Sequence, residues 1–219
     1  MKNYHTVAFD LDGTLADPTR GLLESFAYGL SKADIDYGDK RALKRFIGPP
    51  LYDEWKRVYA LTEEQTDLAL AFFKEYYQIY GWWDNRLYAG IPALLCDLRA
   101  SGKRVCLATS KPAFFAAKVL DRLGIAAYFD AVGAAESDKT RDKKSDVLAD
   151  VLAALGIRTP KERAGVILVG DRKYDAEGAR ALGIDSIGVR YGIGEREEIE
   201  RSGFTYLAET VEDVRKILL

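Results

Sequence analysis

The sequence predicts an α/β fold: a doubly wound parallel sheet interrupted by one helical insertion. Three observations predict it. Short, nearly continuous apolar runs recur along the chain, segments with helical spacing separate them, and one stretch, from about residue 18 to 85, lacks any such run. Apolar runs of this length fit strands buried on both faces, as in parallel sheets covered by helices. Alternation of such strands with helices is the signature of a doubly wound sheet.

The elements follow in order. YHTVAFD (4–10) is the first strand. Helical stretches dominate the insertion: 18–33, 39–47, 51–61 and 62–81, with Thr62 and Gln65 spaced as a capping box and Gly48-Pro49-Pro50 separating two helices. The insertion is rich in aromatics. Trp55, Tyr59, Phe72, Phe73, Tyr76, Tyr77, Tyr80, Trp82 and Trp83 are expected mostly as its core, with one or two available to stack on a base. GIPALLCDLRASG (90–102) carries a Leu94, Leu95, Leu98 stripe and ends at Gly102. Then come a strand at 104–110, a helix at 111–125 stopped by Gly124, a strand at 128–134 and a helix at 145–157. A strand at 165–171, a helix at 175–184 and a strand at 185–191 follow. The chain closes on a short edge strand, 203–207, and a helix, 209–219.

Composition narrows the function. The chain has 219 residues, 48% of them hydrophobic, enough for one core domain with a small insertion. A net charge of −2 with 30% charged residues gives no electrostatic case for nucleic acid or an anionic membrane. No apolar run reaches membrane-spanning length, so a cytoplasmic protein is expected. Cys96 and Cys106 read as small buried hydrophobes in a reducing compartment. A single histidine, His5, argues against a histidine-based triad and excludes a multi-histidine metal site.

The ends of the strands carry the chemistry. In parallel α/β sheets, ligands bind beyond the carboxyl ends of the strands. The first strand ends in Asp10 and Asp12, the second in Thr109, Ser110 and Lys111, and the fourth in Gly170 and Asp171 with Asp175 just beyond. Carboxylates gathered on one rim repel each other unless a hard cation with oxygen ligands, most simply Mg²⁺, lies among them. A phosphate oxygen would take a further metal position, with a lysine and hydroxyls on the remaining oxygens. A calcium loop does not fit: the glycine after Asp12 stands at the fourth position, not the sixth. Asp175 has the alternative of a helix N-cap, and Thr109 of a plain strand-end hydroxyl.

These residues together resemble the haloacid dehalogenase superfamily, in its phosphatase branch. The resemblance covers essentially the whole chain. It rests on DLDGT (10–14), CLATS with Thr109, a lysine ahead of a helix in KKSDVL, and GDRKYD (170–175), in that order. It implies a Rossmann-like core at 1–16 and 87–219, with a small all-helical cap at 17–86 hinged near Asp17, Pro18 and 85–88. It also implies a Mg²⁺-dependent phosphatase. Asp10 would be the nucleophile and a metal ligand, and Asp12 the acid and base, with its carbonyl on the metal. Asp171 would be a direct ligand, and Asp175 would orient water or the lysine. Gly13, Thr14, Thr109, Ser110 and Lys144 would surround the phosphate, with Lys143 and Lys139 as alternatives to Lys144. Lys111 is a further basic group near that phosphate. A branch that displaces halide needs no acid for its leaving group, so Asp12 favours phosphoryl transfer. FIGPPL (46–51) resembles the cap loop that faces substrate. Arg45, Gly48 and Pro49 would then meet it, and Arg45 and Lys44 serve equally well as surface charge. The implied partner is a small-molecule phosphate, in a monomer or homodimer. Phosphoglycolate is the first reading. Nucleoside 5′-monophosphates, a phosphosugar mutase and a silent binding module are the alternatives.

Overall fold

The computed structural model describes residues 2–48, 50–135 and 143–219. Pro49 and Lys139, both singled out above, lie outside the described residues. The chain divides into two compact units, residues 1–17 with 86–219, and residues 18–85.

Eight strands occur among the described residues: β1 (Thr6–Phe9), β2 (Ala16–Asp17), β3 (Arg86–Leu87), β4 (Arg104–Pro112), β5 (Ala131–Ala135), β6 (Val166–Gly170), β7 (Asp185–Val189) and β8 (Tyr206–Ala208). Six of them form one parallel sheet in the order β5-β4-β1-β6-β7-β8. Every residue of β1 and β6 is buried, as expected for central strands covered on both faces. The chain fills one side of β1 with β4 and β5, then crosses to the other side with β6. That reversal at β1 is where a doubly wound sheet opens a crevice. Register sets what lines it. Phe9 is level with Leu107 and with Val169, so Asp10, Thr109 and Asp171 emerge at nearly the same height.

The helices of the first unit follow the strands. They are α4 (Ile91–Ala100), α5 (Ala113–Arg122), α6 (Lys144–Ala154), α7 (Pro160–Arg163), α8 (Lys173–Ala181), α9 (Arg196–Arg201) and α10 (Val211–Leu218); α1 to α3 belong to the second unit. α6 turns Val147, Leu148, Val151 and Leu152 into a cluster with Ala8, Cys106, Ala108, Val166 and Leu168. Each such side chain contributes about 1.5–3 kcal/mol when fully buried.

The second unit is helical: α1 (Thr19–Lys32), a 3₁₀ turn (Lys40–Phe46), α2 (Leu51–Tyr59), α3 (Glu63–Ile79) and a 3₁₀ turn (Gly81–Trp83). Its core is Trp55, fully buried, ringed by Phe26, Phe46 and Phe73 at centroid distances of 5.9, 6.4 and 6.1 Å. The capping box of Thr62 and Gln65 is formed.

Several expectations are corrected. Residues 111–112 continue β4, and the helix starts at Ala113, because a residue before proline is driven out of the α region. The 39–47 segment is helical, as a 3₁₀ helix over Lys40–Phe46. The helix expected at 175 begins at Lys173. Tyr80 and Trp83 are exposed rather than part of a core. Cys106 is buried, but Cys96 is exposed, since it falls on the face of α4 opposite Leu94, Leu95 and Leu98. The two-residue ladder of β2 with β3 was not anticipated; it is too short to carry a pattern.

Candidate active site

The turn after β1 builds the first half of the site. The N–H groups of Thr14, Leu15 and Ala16 all donate to the Leu11 carbonyl, and Gly13 N–H donates to Ala16 O. This tight turn needs Gly13 at φ +83°, a backbone open mainly to glycine. A side chain there is also barred by space, because a Cβ would lie 2.1 Å from Asp171 Oδ2. The turn therefore brings the Asp10–Thr14 segment against the end of β6.

Three carboxylates converge. Asp10, Asp171 and Asp175 each offer an oxygen, and these atoms lie within 4.8 Å of one another, all buried. The Lys144 ammonium answers them. Its Nζ lies 2.9 Å from Asp10 Oδ1, 2.9 Å from Asp175 Oδ1 and 2.9 Å from the Ala108 carbonyl. Burial alone would lower the Lys144 pKa. The charges of Asp10 and Asp175 outweigh it and hold the group well above the usual lysine range. Lys143 is exposed, at the cap of α6. The spacing explains the difference: Lys144 heads the same face as Val147, Leu148, Val151 and Leu152.

One lysine does not balance the cluster. Burial first, then the charges of Asp175 and Asp10, push Asp171 up to about 7, with the Ile193 and Gly194 N–H groups opposing. Burial and Asp10 push Asp175 up to about 6 against the pull of Lys144. Asp171 Oδ1 is buried with no hydrogen-bond partner among the described residues. A buried carboxylate oxygen without a donor is costly. An all-carboxylate donor set with such an oxygen fits a hard divalent cation.

Asp175 does two things at once. Oδ2 accepts from the Arg172 N–H at 3.1 Å and fixes the start of α8, while Oδ1 faces Lys144. The helix-cap reading was thus correct in part: Asp175 sits at the third helical position rather than at the cap.

The hydroxyls and the second lysine lie on the neighbouring segments. Thr109 is 1% exposed, and its Oγ1 accepts from the Lys111 N–H at 3.2 Å. Thr14 is fully buried, with Oγ1 unpartnered among the described residues. Ser110 is exposed. Lys111 Nζ donates to Asp12 Oδ2 at 2.6 Å. Arg45 and Gly48 are exposed residues of the second unit, and the Arg45 guanidinium lies over the Phe46 ring at 4.8 Å.

Sequence reasoning left two features out of the site. One is the bond from Lys111 to Asp12, since Lys111 was read only as a basic group near the phosphate. Lys111 is buried like Thr109 although the ladder with β5 shifts register between Thr109 and Pro112, an irregularity that no local pattern announces. The other is the loop after β7. Ile193 and Gly194 donate their N–H groups to Asp171 Oδ2 at 2.8 and 3.0 Å, and the Tyr191 hydroxyl donates to Thr14 O at 3.0 Å. The glycines of YGIG at a strand end were the only hint.

Comparison with known proteins finds relatives over nearly the whole chain. Residues 7–189 match the family model of haloacid dehalogenase-like hydrolases. A 5′-nucleotidase of Pseudomonas aeruginosa is 33% identical over 98% of this chain and 96% of its own length. Tyrosine-protein kinase PtkA of Mycobacterium tuberculosis is 37% identical over 97% of this chain and 72% of its own. The crystal structure of a predicted phosphatase from Clostridium acetobutylicum superposes with a TM-score of 0.89 at 35% identity, covering 99% of both chains.

Proposed function

We propose, from the premise that this chain belongs to the haloacid dehalogenase-like hydrolase family and is a phosphatase of it, that it hydrolyses a small phosphate monoester with Mg²⁺ through an aspartyl-phosphate. The observation that supports this reading is the buried Asp10, Asp171, Asp175 cluster facing Lys144.

Asp10, Asp171 and the Asp12 carbonyl would hold the metal, which supplies charge neutralisation for the phosphate oxygens. Asp10 attacks phosphorus with a carboxylate oxygen. The bond from phosphorus to the ester oxygen breaks, and Asp12 gives that oxygen its proton. Water then attacks the phosphorus of the aspartyl-phosphate, Asp12 takes a proton from it, and inorganic phosphate and free Asp10 result. Lys144 offsets the charge of Asp10 and of the incoming phosphate. Thr14, Thr109 and a backbone group from Ser110 bind its oxygens, while the Gly13 N–H is spent on the Ala16 carbonyl and Gly13 serves the turn. Asp175 positions Lys144.

A nucleoside 5′-monophosphate is the substrate favoured by the full-length similarity to the Pseudomonas enzyme; phosphoglycolate is the second candidate. The helical unit is assigned the part of a cap that selects between them, with Arg45, Gly48 and Pro49 as its substrate residues. No described helix is long and apolar enough to cross a membrane.

The test is phosphate release from p-nitrophenyl phosphate, with and without EDTA, beside Asp10→Asn. Activity is expected only in wild type with Mg²⁺. Activity that survives both changes rejects the mechanism. A screen of nucleoside monophosphates, phosphoglycolate and sugar phosphates then identifies the ester, and Arg45→Ala is expected to raise KM for it with kcat kept.

A further inference from the structure

We propose that the 191–194 loop sets the divalent-cation affinity of this protein, by fixing Asp171 Oδ2 on two backbone N–H groups so that Oδ1 is committed to the cation. The inference rests on Asp171 as a metal ligand.

A lone carboxylate rotates about its terminal bond and offers either oxygen. Here the Ile193 and Gly194 N–H groups hold Oδ2 at 2.8 and 3.0 Å. Oδ1 is left buried without a hydrogen-bond partner among the described residues. One oxygen is satisfied and the other requires a ligand. Groups that orient a ligand in this way tune metal affinity, typically by about 10–100-fold.

The loop reaches Asp171 only because it carries glycines. A Cβ on Gly192 would lie 2.3 Å from Gly13 O and 2.6 Å from Asp171 Cβ, and one on Gly194 would lie 1.9 Å from Asp171 O. Two anchors hold the loop in place. At one end the Arg190 N–H donates to Ala208 O at 2.9 Å, tying it to β8. At the other face the Tyr191 hydroxyl donates to Thr14 O at 3.0 Å, while its ring packs edge-on to Tyr88 with centroids 5.0 Å apart. Thr14 belongs to the turn that carries Asp10 and Asp12. Tyr191 therefore joins that turn to the loop that holds Asp171, and the carboxylates from β1 and β6 are set relative to each other. Tyr191 is a positioning residue.

The experiment measures the Mg²⁺ dissociation constant of the full chain by calorimetry. The proteins are wild type, Tyr191→Phe, Gly194→Ala, Asp171→Asn and, as a strained but unrelated glycine at φ +74°, Gly203→Ala. Tyr191→Phe keeps the ring and loses the bond to Thr14. It is expected to weaken Mg²⁺ about tenfold, Gly194→Ala by about tenfold to a hundredfold, and Gly203→Ala not at all. At saturating Mg²⁺, Tyr191→Phe is expected to recover most of the wild-type kcat. Should Gly194→Ala fail to fold, Tyr191→Phe decides alone. Wild-type affinity in Tyr191→Phe, with binding lost in Asp171→Asn, overturns the role of the loop and leaves the proposed function standing. Wild-type affinity in Asp171→Asn overturns both.

Discussion

Lys111 Nζ donates to Asp12 Oδ2 at 2.6 Å from a side chain only 4% exposed. The pair ties the residue assigned the proton transfer to the end of β4. Lys111 stands two residues past Thr109, where the ladder of β4 with β5 shifts register, and both side chains are buried.

The first prediction uses leaving-group chemistry. An alkoxide needs a proton as it departs, whereas p-nitrophenolate hardly does. Lys111→Met is expected to lower kcat/KM on an alkyl phosphate about 10²-fold, and on p-nitrophenyl phosphate less than about tenfold. Asp12→Asn should show the same asymmetry, enlarged. Steady-state kinetics on the two esters decide it: equal losses would mean that Lys111 serves binding and not the placement of Asp12.

A second prediction concerns Lys144. Removing one partner from a buried ionic cluster leaves the others uncompensated, at a cost of about 3–5 kcal/mol. Lys144→Met is expected to lose about that much in urea unfolding at pH 8 with EDTA present. The loss should shrink at pH 5, where Asp171 and Asp175, raised to about 7 and about 6, bind protons in place of the missing charge. A loss under about 1 kcal/mol at both pH values would mean that Lys144 offsets little of the cluster's charge.

Much of this was legible in the sequence, for identifiable reasons. β1 and β6 sit at the centre of the sheet, and central strands are apolar on both faces, so their pattern is unambiguous. The carboxylates that follow them are unusual enough at strand ends to declare a site. Lys144 was legible against Lys143 once its spacing to Val147 and Leu148 is counted. The rest depended on contacts that no local pattern encodes. The Lys111 link to Asp12 spans 99 residues. The loop that holds Asp171 acts through backbone N–H groups, which any residue has, so only its glycines left a trace. Cys96 was misplaced because an apolar neighbourhood in sequence is not a buried face on a helix.

The third prediction is a pH dependence of stability without metal. An ordinary aspartate titrates near 4. Asp171 and Asp175 are raised in the folded state, so between about pH 4 and 7 the folded chain holds protons that the unfolded chain has released. Stability must then fall as pH rises through that window. His5 acts in the opposite sense, since burial first, and then Arg104 and Lys103, lower its pKa. The difference between wild type and Asp171→Asn cancels that contribution. In EDTA, wild type is expected to lose several degrees of melting temperature relative to Asp171→Asn between pH 5 and 8, and Mg²⁺ to restore more at pH 8 than at pH 5. Parallel melting curves for the two proteins across that range would contradict the raised pKa of Asp171.

The fourth prediction separates strain from crowding at Gly13. Gly13 and Gly156 both adopt left-handed backbone, at φ +83° and +78°. An added Cβ at Gly156 meets nothing within 4 Å, whereas at Gly13 it would lie 2.1 Å from Asp171 Oδ2. Gly156→Ala therefore carries only the backbone cost of about 1–2 kcal/mol. Gly13→Ala carries that cost and also displaces the carboxylate assigned to the metal. Gly156→Ala is expected to melt a few degrees lower with kcat and Mg²⁺ affinity unchanged. Gly13→Ala is expected to lose at least about 10²-fold in kcat and most of its Mg²⁺ affinity, beyond what its lower melting temperature accounts for, because a misplaced site costs about 10²-fold even when the fold survives. Calorimetry and kinetics below the melting range of both variants make the comparison. If Gly13→Ala binds Mg²⁺ as Gly156→Ala does, the turn after β1 tolerates a side chain, and its closeness to Asp171 is not what the site depends on.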